Sequence, residues 1–93
     1  MIIGVATVKL YAPWVHSLKE KRMVVKSVVS KVQNRFNVSI SEIEAQDIHQ
    51  TIILGVACVA DTVKMAGSVI DTVITFIENH TEAEILEIQR EIR

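Results

Sequence analysis

Two nearly continuous apolar stretches dominate the pattern of hydrophobic and polar positions in this chain. Residues 2–11 (IIGVATVKLY) and 51–60 (TIILGVACVA) are rich in Ile and Val, which predicts two strands at the centre of a sheet. Two other stretches are more polar and alternate between apolar and polar positions. They predict edge strands over residues 37–45 (NVSISEIEA), with a bulge near Glu42, and over residues 82–91.

Two amphipathic segments lie between these strands and predict helices. The first begins with a capping box at Ser17–Glu20 and runs to about Phe36, while the second is capped by Asp61 or Thr62 and ends near residue 79. Each helix carries one apolar stripe that faces a core. The stripes consist of Leu18, Val25, Val28, Val29, Val32 and Phe36 in the first helix, and of Ala66, Val69, Ile70, Val73, Phe76 and Ile77 in the second.

The resulting order, β-α-β-β-α-β, predicts one ferredoxin-like α+β domain over residues 1–93, with a four-stranded antiparallel sheet and two helices on one face. In this arrangement the first and third strands occupy the middle of the sheet, which agrees with their apolar character. The loop after the first strand, the hairpin between the second and third strands and the turn after the second helix then share one end of the molecule.

All three histidines of the chain and its only tryptophan fall in these three loops. Because loops often carry binding residues, we predict a candidate site here, termed the loop-end surface. It consists of Trp14, His16, Gln46, Asp47, His49 and Gln50. No pair of histidines has the spacing of a metal motif, and no nucleophile accompanies Asp47 and His49. We therefore expect no metal, no cofactor and no catalytic residue.

Charge is nearly balanced over the whole chain but unevenly distributed along it. Residues 1–36 hold seven Lys or Arg against one acid, a net +6, and residues 37–93 hold three against ten, a net −7. The start of the first helix adds free backbone amides to this positive region, which predicts an anion or RNA site. Its candidate residues are Ser17, Lys19, Lys21, Arg22, Lys26, Lys31 and Arg35.

The same basic pattern has two alternative interpretations. It also fits an ordinary solvated helix, and a basic helix packed against acidic strands of its own chain. Trp14 also has two interpretations. Its ring covers the end of the core, which is the favoured interpretation, or it stacks on a base.

An excess of apolar residues predicts self-association as a homodimer or higher form. Hydrophobic residues make up 49% of the chain and charged residues 23%, which is more apolar surface than one small core hides. The odd and the even positions of the first strand are both largely apolar. The sheet face that the helices leave open therefore needs a cover.

Three features predict a cytoplasmic protein. No apolar run approaches the roughly 18 residues that a membrane span needs. The opening stretch has no basic leader and is interrupted by Gly4, Thr7 and Lys9, unlike a signal peptide. The single cysteine, Cys58, excludes an internal disulfide, and its apolar strand predicts a buried thiol.

Nearly the whole chain resembles the YlxP-like bacterial family, a domain of unknown function (DUF503), over MIIGVATVKLYAPWVHSLKEKR and NRFNVSISEIEAQDIHQTIILGVACVA. The most specific segments are SLKEKR, NRFNVS and QD-x-x-Q…LGVA, whereas His49 and Thr51 stand where members often carry tryptophan and arginine. The resemblance implies a ferredoxin-like fold and a bacterial cytoplasmic protein. The family's genes commonly lie beside those for translation initiation factor two and ribosome-binding factor A, which implies a link to ribosome assembly or translation.

Two functions follow from these observations. The first is a non-enzymatic binding module for RNA or a ribosome-associated protein, without affinity for DNA or membranes. It is not a standard RNA-recognition sheet, because Tyr11 is the only aromatic residue in the two central strands. The alternative is an oligomeric protein-interaction or ligand-binding regulator that acts through the open sheet face. An acylphosphatase-type enzyme is excluded, since APWVHS has neither the glycines nor the arginine of its phosphate loop.

Overall fold

The predicted order β-α-β-β-α-β is confirmed by a computed structural model that describes residues 1–93. The elements are β1 (Ile2–Tyr11), α1 (Leu18–Arg35), β2 (Ser39–Glu44), β3 (Thr51–Ala60), α2 (Val63–Asn79) and β4 (Glu84–Ile92). The predicted bounds are wrong mainly at the edge strands. β4 begins two residues later than predicted, because the Thr81 hydroxyl accepts a hydrogen bond from the Ala83 amide at 3.1 Å and holds these residues in a turn.

The four strands form one antiparallel sheet in the order β2-β3-β1-β4. The two apolar strands are therefore central, as predicted, and they pair from Ile2 opposite Ala60 to Tyr11 opposite Thr51. Their side chains alternate in burial along the strands, so that Val8, Leu10 and Leu54 are fully enclosed beneath the helices. The intervening positions form the opposite face of the sheet, which no element of the chain covers.

Irregular pairing occurs on both edge strands. The register shifts between Glu42 and Glu44, which confirms the predicted bulge in β2 and places the Ile43 side chain against Gly55. A second shift, which the sequence pattern does not predict, inserts Leu86 into β4 opposite the Lys9–Leu10 step of β1. Both bulges lie towards the hairpin end of the sheet.

Both helices begin at capped residues. The Ser17 hydroxyl accepts a hydrogen bond from the Glu20 amide at 3.1 Å and donates one to the Glu20 carboxylate at 3.4 Å. Thr62, rather than Asp61, caps α2 by accepting from the Met65 amide at 3.1 Å. The five buried residues of α2 provide most of the helical side of the core, namely Ala66, Ile70, Val73, Ile74 and Ile77. Two valines, Val28 and Val32, and one lysine are the buried residues of α1.

Candidate functional site at the loop end and the first helix

Hydrogen bonds join the loop after β1 to the β2–β3 hairpin. The Ala12 amide donates to the Gln50 carbonyl at 2.8 Å, and Gln50 Nε2 donates to the carbonyls of Pro13 and Val15 at 3.0 and 3.3 Å. The half-buried Gln50 amide thus holds two loops together, which corrects its prediction as a surface ligand. These contacts bring the segments that carry His16 and His49 to one end of the molecule.

The other residues of the loop-end surface point to solvent. Trp14, His16, Gln46, Asp47 and His49 are all exposed. The third imidazole, of His80, stacks on the Phe76 ring with centroids 3.9 Å apart, and its Nδ1 lies 2.8 Å from the Phe76 carbonyl oxygen. No group of three or more His, Cys, Asp or Glu side chains has the geometry to hold a metal ion.

Lys21 is the buried lysine of α1, so its prediction as a surface anion ligand is wrong. Only 1% of its surface is exposed, and its ammonium donates to the carbonyls of Ala45 and Ile48, the latter at 2.7 Å. The same ammonium lies 2.9 Å from Glu42 Oε2 and pairs with its charge, although this oxygen accepts no hydrogen bond. Two of the ammonium protons thus have backbone acceptors and its charge has a carboxylate partner, so the buried ammonium does not reach an external phosphate.

The conformation of the hairpin turn places two backbone carbonyl oxygens against this ammonium. Ala45 has a φ of 59°, in the left-handed region that non-glycine residues rarely adopt. Its carbonyl accepts from the Ile48 amide at 3.0 Å as well as from Lys21. Lys21 thus links α1 to the turn that carries Gln46, Asp47 and His49, and it sets the position of that turn relative to the helix.

Ser17 also differs from its predicted role as an anion ligand. Its hydroxyl is half-buried and is engaged on both sides by Glu20, as acceptor from the amide and as donor to the carboxylate. An anion that bound the Ser17 hydroxyl itself would have to displace the cap. The free charged groups of α1 are its solvent-facing cations.

Three of these cations, Lys19, Arg22 and Lys26, form a strip along one flank of α1, termed the cation strip. They are exposed, and the spacing of three and four residues places them on the same side of the helix. The ion pairs of the chain join Lys21 to Glu42, Arg90 to Asp71 and Arg93 to Glu91. The cation strip therefore has no carboxylate partner within the chain.

The two remaining cations, Lys31 and Arg35, lie on the opposite flank, towards α2. Lys31 Nζ approaches the His80 carbonyl at 3.4 Å, and the Arg35 guanidinium lies 5.6 Å from the centroid of the Phe76 ring. The predicted single site thus separates into the cation strip, this second flank and the buried Lys21.

A groove with a volume of about 400 Å³ opens between α1 and the turn after α2, with Trp14 at its margin. It is termed the Trp14 groove and is lined by Trp14, Val24, Ser27, Val28, Lys31, Asn79, His80, Thr81 and Glu82. Trp14 is 40% exposed and is not among the buried core residues, whereas the neighbouring Ala12 and Val15 are completely buried. These two small residues, rather than Trp14, cover the end of the core.

The open sheet face carries apolar residues, mainly towards the end away from the hairpin. Its positions include Ile3, Val5, Ile53, Ala57 and Val59, of which Val59 is 69% exposed. The alternate residue Cys58 points into the core, which confirms the predicted buried thiol.

The margins of this face carry both signs of charge. Glu87 lies beside Lys9, and Arg93 lies beside Ile3 at the end of β4. A hydrogen bond from Arg93 lowers the pKa of the exposed Glu91 carboxyl, and the charge of the guanidinium acts in the same direction. The same hydrogen bond raises the pKa of Arg93.

Comparisons with known proteins agree with this fold and identify relatives. The family model described as protein of unknown function (DUF503) matches residues 3–90. The uncharacterized protein YlxP of Bacillus subtilis (strain 168) is 44% identical over 68 residues, which are 73% of this chain and 74% of that protein. The solution structure of a de novo designed protein with a ferredoxin fold covers 100% of this chain and 85% of its own, with a TM-score of 0.59 and 21% identity. The designed protein supports the fold alone.

Neither helix of this chain combines the length and apolarity that crossing a membrane requires.

Proposed function

We propose that this chain, which belongs to the DUF503 family, is a non-enzymatic cytoplasmic module that binds RNA through its first helix. The observation that supports this function is the cation strip, whose three charges are exposed and unpaired within the chain. Cations placed along one helix flank suit a row of phosphates, and counterion release from RNA then favours binding.

The acidic groups near α1 do not neutralise the strip. α1 carries Glu20 as its only carboxylate against six Lys or Arg, and Glu42 is paired with the buried Lys21. No ion pair joins Lys19, Arg22 or Lys26 to a carboxylate. The helix therefore presents positive charge to solvent although the whole chain has a net charge of −1.

Replacing Arg22 and Lys26 with glutamine should weaken RNA binding and its dependence on salt. Each lost contact to single-stranded RNA should reduce the slope of log K against log salt by about 0.7, so the double variant should lose about 1.4. Fluorescence anisotropy of a labelled single-stranded RNA between 50 and 200 mM salt measures both quantities.

Lys64→Gln provides the matched control, because this exposed lysine lies on α2 and its loss changes the net charge in the same direction. It should leave the slope unchanged. Equal affinity of the double variant and the native chain, or no RNA binding by the native chain at 50 mM salt, would contradict the proposal.

A second candidate function is protein contact through the open sheet face, beginning with a second copy of this chain. The observation that favours it is the apolar part of that face, around Val5 and Val59. A face that carries Lys9 and Arg93 as well as Glu87 can pair opposite charges across a two-fold axis, as an interface between identical copies requires. Both sheets would then exclude water from the apolar positions that the helices leave open.

Light scattering should show a dimer at micromolar concentration, and Val59→Lys should convert it to monomer by placing a charge on the apolar part of the face. Met23→Lys is the control, because Met23 of α1 is 65% exposed, nearly as much as Val59, and lies on the other side of the molecule. A native chain that is already monomeric, or equal effects of the two substitutions, would exclude this interface.

A further inference from the structure

We infer that the Trp14 groove holds an unstacked base of single-stranded RNA, with the indole as its stacking platform. This inference rests on the proposed RNA-binding function and assigns a second contact to it. The groove lies on the α2 side of α1, across the helix from the cation strip. Since a helix with its side chains is only about 10–12 Å wide, one strand of RNA can reach both flanks.

Trp14 is partly exposed at the end of the core. A tryptophan that served the core would bury its ring, but here Ala12 and Val15 close the core with no exposed surface, and 40% of Trp14 is in solvent. Trp14 therefore keeps surface that the fold leaves available to a ligand. An exposed aromatic ring on a loop, next to a cation, is the usual platform for a nucleic-acid base.

The backbone on both sides of Trp14 is fixed. Gln50 Nε2 donates to the carbonyls of Pro13 and Val15, the two residues that flank the tryptophan. The Val15 amide also donates to the Ala12 carbonyl at 3.1 Å and closes a tight turn around the ring. A base that stacks here meets a platform that is already ordered, so less conformational entropy is lost on binding.

The lining of the groove suits one nucleotide. Val24 and Val28 provide apolar surface, and Lys31 provides a cation whose contact with the His80 carbonyl, at 3.4 Å, is long enough to leave its ammonium available for a phosphate. The volume of about 400 Å³ lies at the low end of the range for small-molecule sites. A base within a duplex is stacked on its neighbours and cannot enter, so the groove selects single strands.

Glu82 adds a preference among bases. It is the one carboxylate in the lining, and an ionised carboxylate accepts hydrogen bonds but donates none. It can therefore accept from the amino group of cytosine, whereas uracil presents a carbonyl oxygen at the same position. We expect oligo(C) to bind more tightly than oligo(U), and Glu82→Gln to reduce this difference, because an amide both donates and accepts.

Fluorescence provides the direct test, because Trp14 is the only tryptophan of the chain. Titration with single-stranded RNA at 50 mM salt should quench or shift its emission, and a duplex of the same sequence should not. Trp14→Leu should weaken binding of the same single strand about tenfold when measured by anisotropy. Lys31→Gln should weaken it as well. The thermal unfolding curve of Trp14→Leu should stay close to that of the native chain, because Ala12 and Val15 close the core and leucine keeps an apolar side chain at this position.

The result also separates this inference from the function on which it rests. If RNA binds and the Arg22 and Lys26 variant weakens it, but Trp14 emission and Trp14→Leu affinity stay unchanged, the groove assignment is wrong and the cation strip stands. If the native chain binds no RNA, both are wrong. If cytidine monophosphate alone saturates the emission change at the same concentration as the oligonucleotide, the groove is a mononucleotide site and not part of an RNA path.

Discussion

Lys21→Met is expected to lower the free energy of unfolding by about 3–5 kcal/mol, the usual effect of removing one partner from a buried ion pair. Methionine keeps most of the apolar stem but removes the ammonium. Glu42, whose side chain is only 15% exposed, then has no cation, and the carbonyl of Ile48 loses its charged donor. Urea unfolding followed by circular dichroism measures the change. An unchanged slope of the unfolding free energy against urea concentration would indicate that the transition remains two-state.

Two further variants identify the cause of this loss. Lys19→Met removes the same charge from an exposed position two residues away and should change the stability by no more than about 0.5 kcal/mol. Combining Lys21→Met with Glu42→Leu should recover much of the loss, because replacing both members of a buried pair with apolar groups leaves no unpaired charge. A loss below about 1 kcal/mol for Lys21→Met alone would mean that the stem, and not the ammonium, stabilises the hairpin.

This role of Lys21 also determines how RNA-binding variants of α1 are interpreted. A charge reversal at Lys21 places a carboxylate against Glu42 and two carbonyls, so it should release the hairpin whether or not the chain binds RNA. A loss of binding in that variant would carry no information about phosphate contacts. Arg22 and Lys26 are the informative positions because their side chains are exposed.

The architecture follows from the sequence because its signals are local and agree with one another. Two apolar strands, two capped amphipathic helices and two polar strands in this order leave one strand arrangement that buries both apolar strands at the centre. The bulge in β2 was also predictable, since the alternation of Val38 to Ser41 breaks at Glu42, which stands where an apolar residue is due. The second bulge, at Leu86, arises from pairing with β1 and has no comparable local signal.

The candidate site was less predictable because its contacts join distant parts of the chain. Lysine is usually exposed, and the acceptors of Lys21 lie 24 and 27 residues away, in a turn whose conformation is not evident from composition. One signal did exist, since Lys21 precedes Val25, Val28 and Val32 at helical spacing and so lies on the apolar stripe. Gln50 had no such signal, because its amide bonds two backbone carbonyls 37 and 35 residues away.

α2 packs closely on β1 at Gly4, and a substitution there should have the second large effect on the free energy of unfolding. A Cβ at this position would lie 3.0 Å from Ile70 Cγ1, 3.0 Å from Cys58 Sγ and 3.2 Å from the Ala66 carbonyl oxygen. Gly4→Ala should therefore lower the free energy of unfolding by about 1–3 kcal/mol through overpacking. Gly67→Ala is the control, because no atom lies within 4 Å of its added Cβ, and a helical alanine should raise stability by about 1 kcal/mol.

Ile70→Ala should cost about 2–5 kcal/mol by itself, because it opens a cavity beside β1. The same cavity removes Cγ1 from the space that a Cβ on Gly4 would enter, so Gly4→Ala should cost less in the Ile70→Ala background than in the native chain. The four free energies of unfolding in this double-mutant cycle should give a favourable coupling between the two substitutions of about 0.5–3 kcal/mol. The coupling stays partial, because the Ala66 carbonyl belongs to the helix backbone and is unchanged by the second substitution. Additivity within about 0.3 kcal/mol would instead mean that the backbone of α2, and not the Ile70 side chain, excludes a larger residue at position 4.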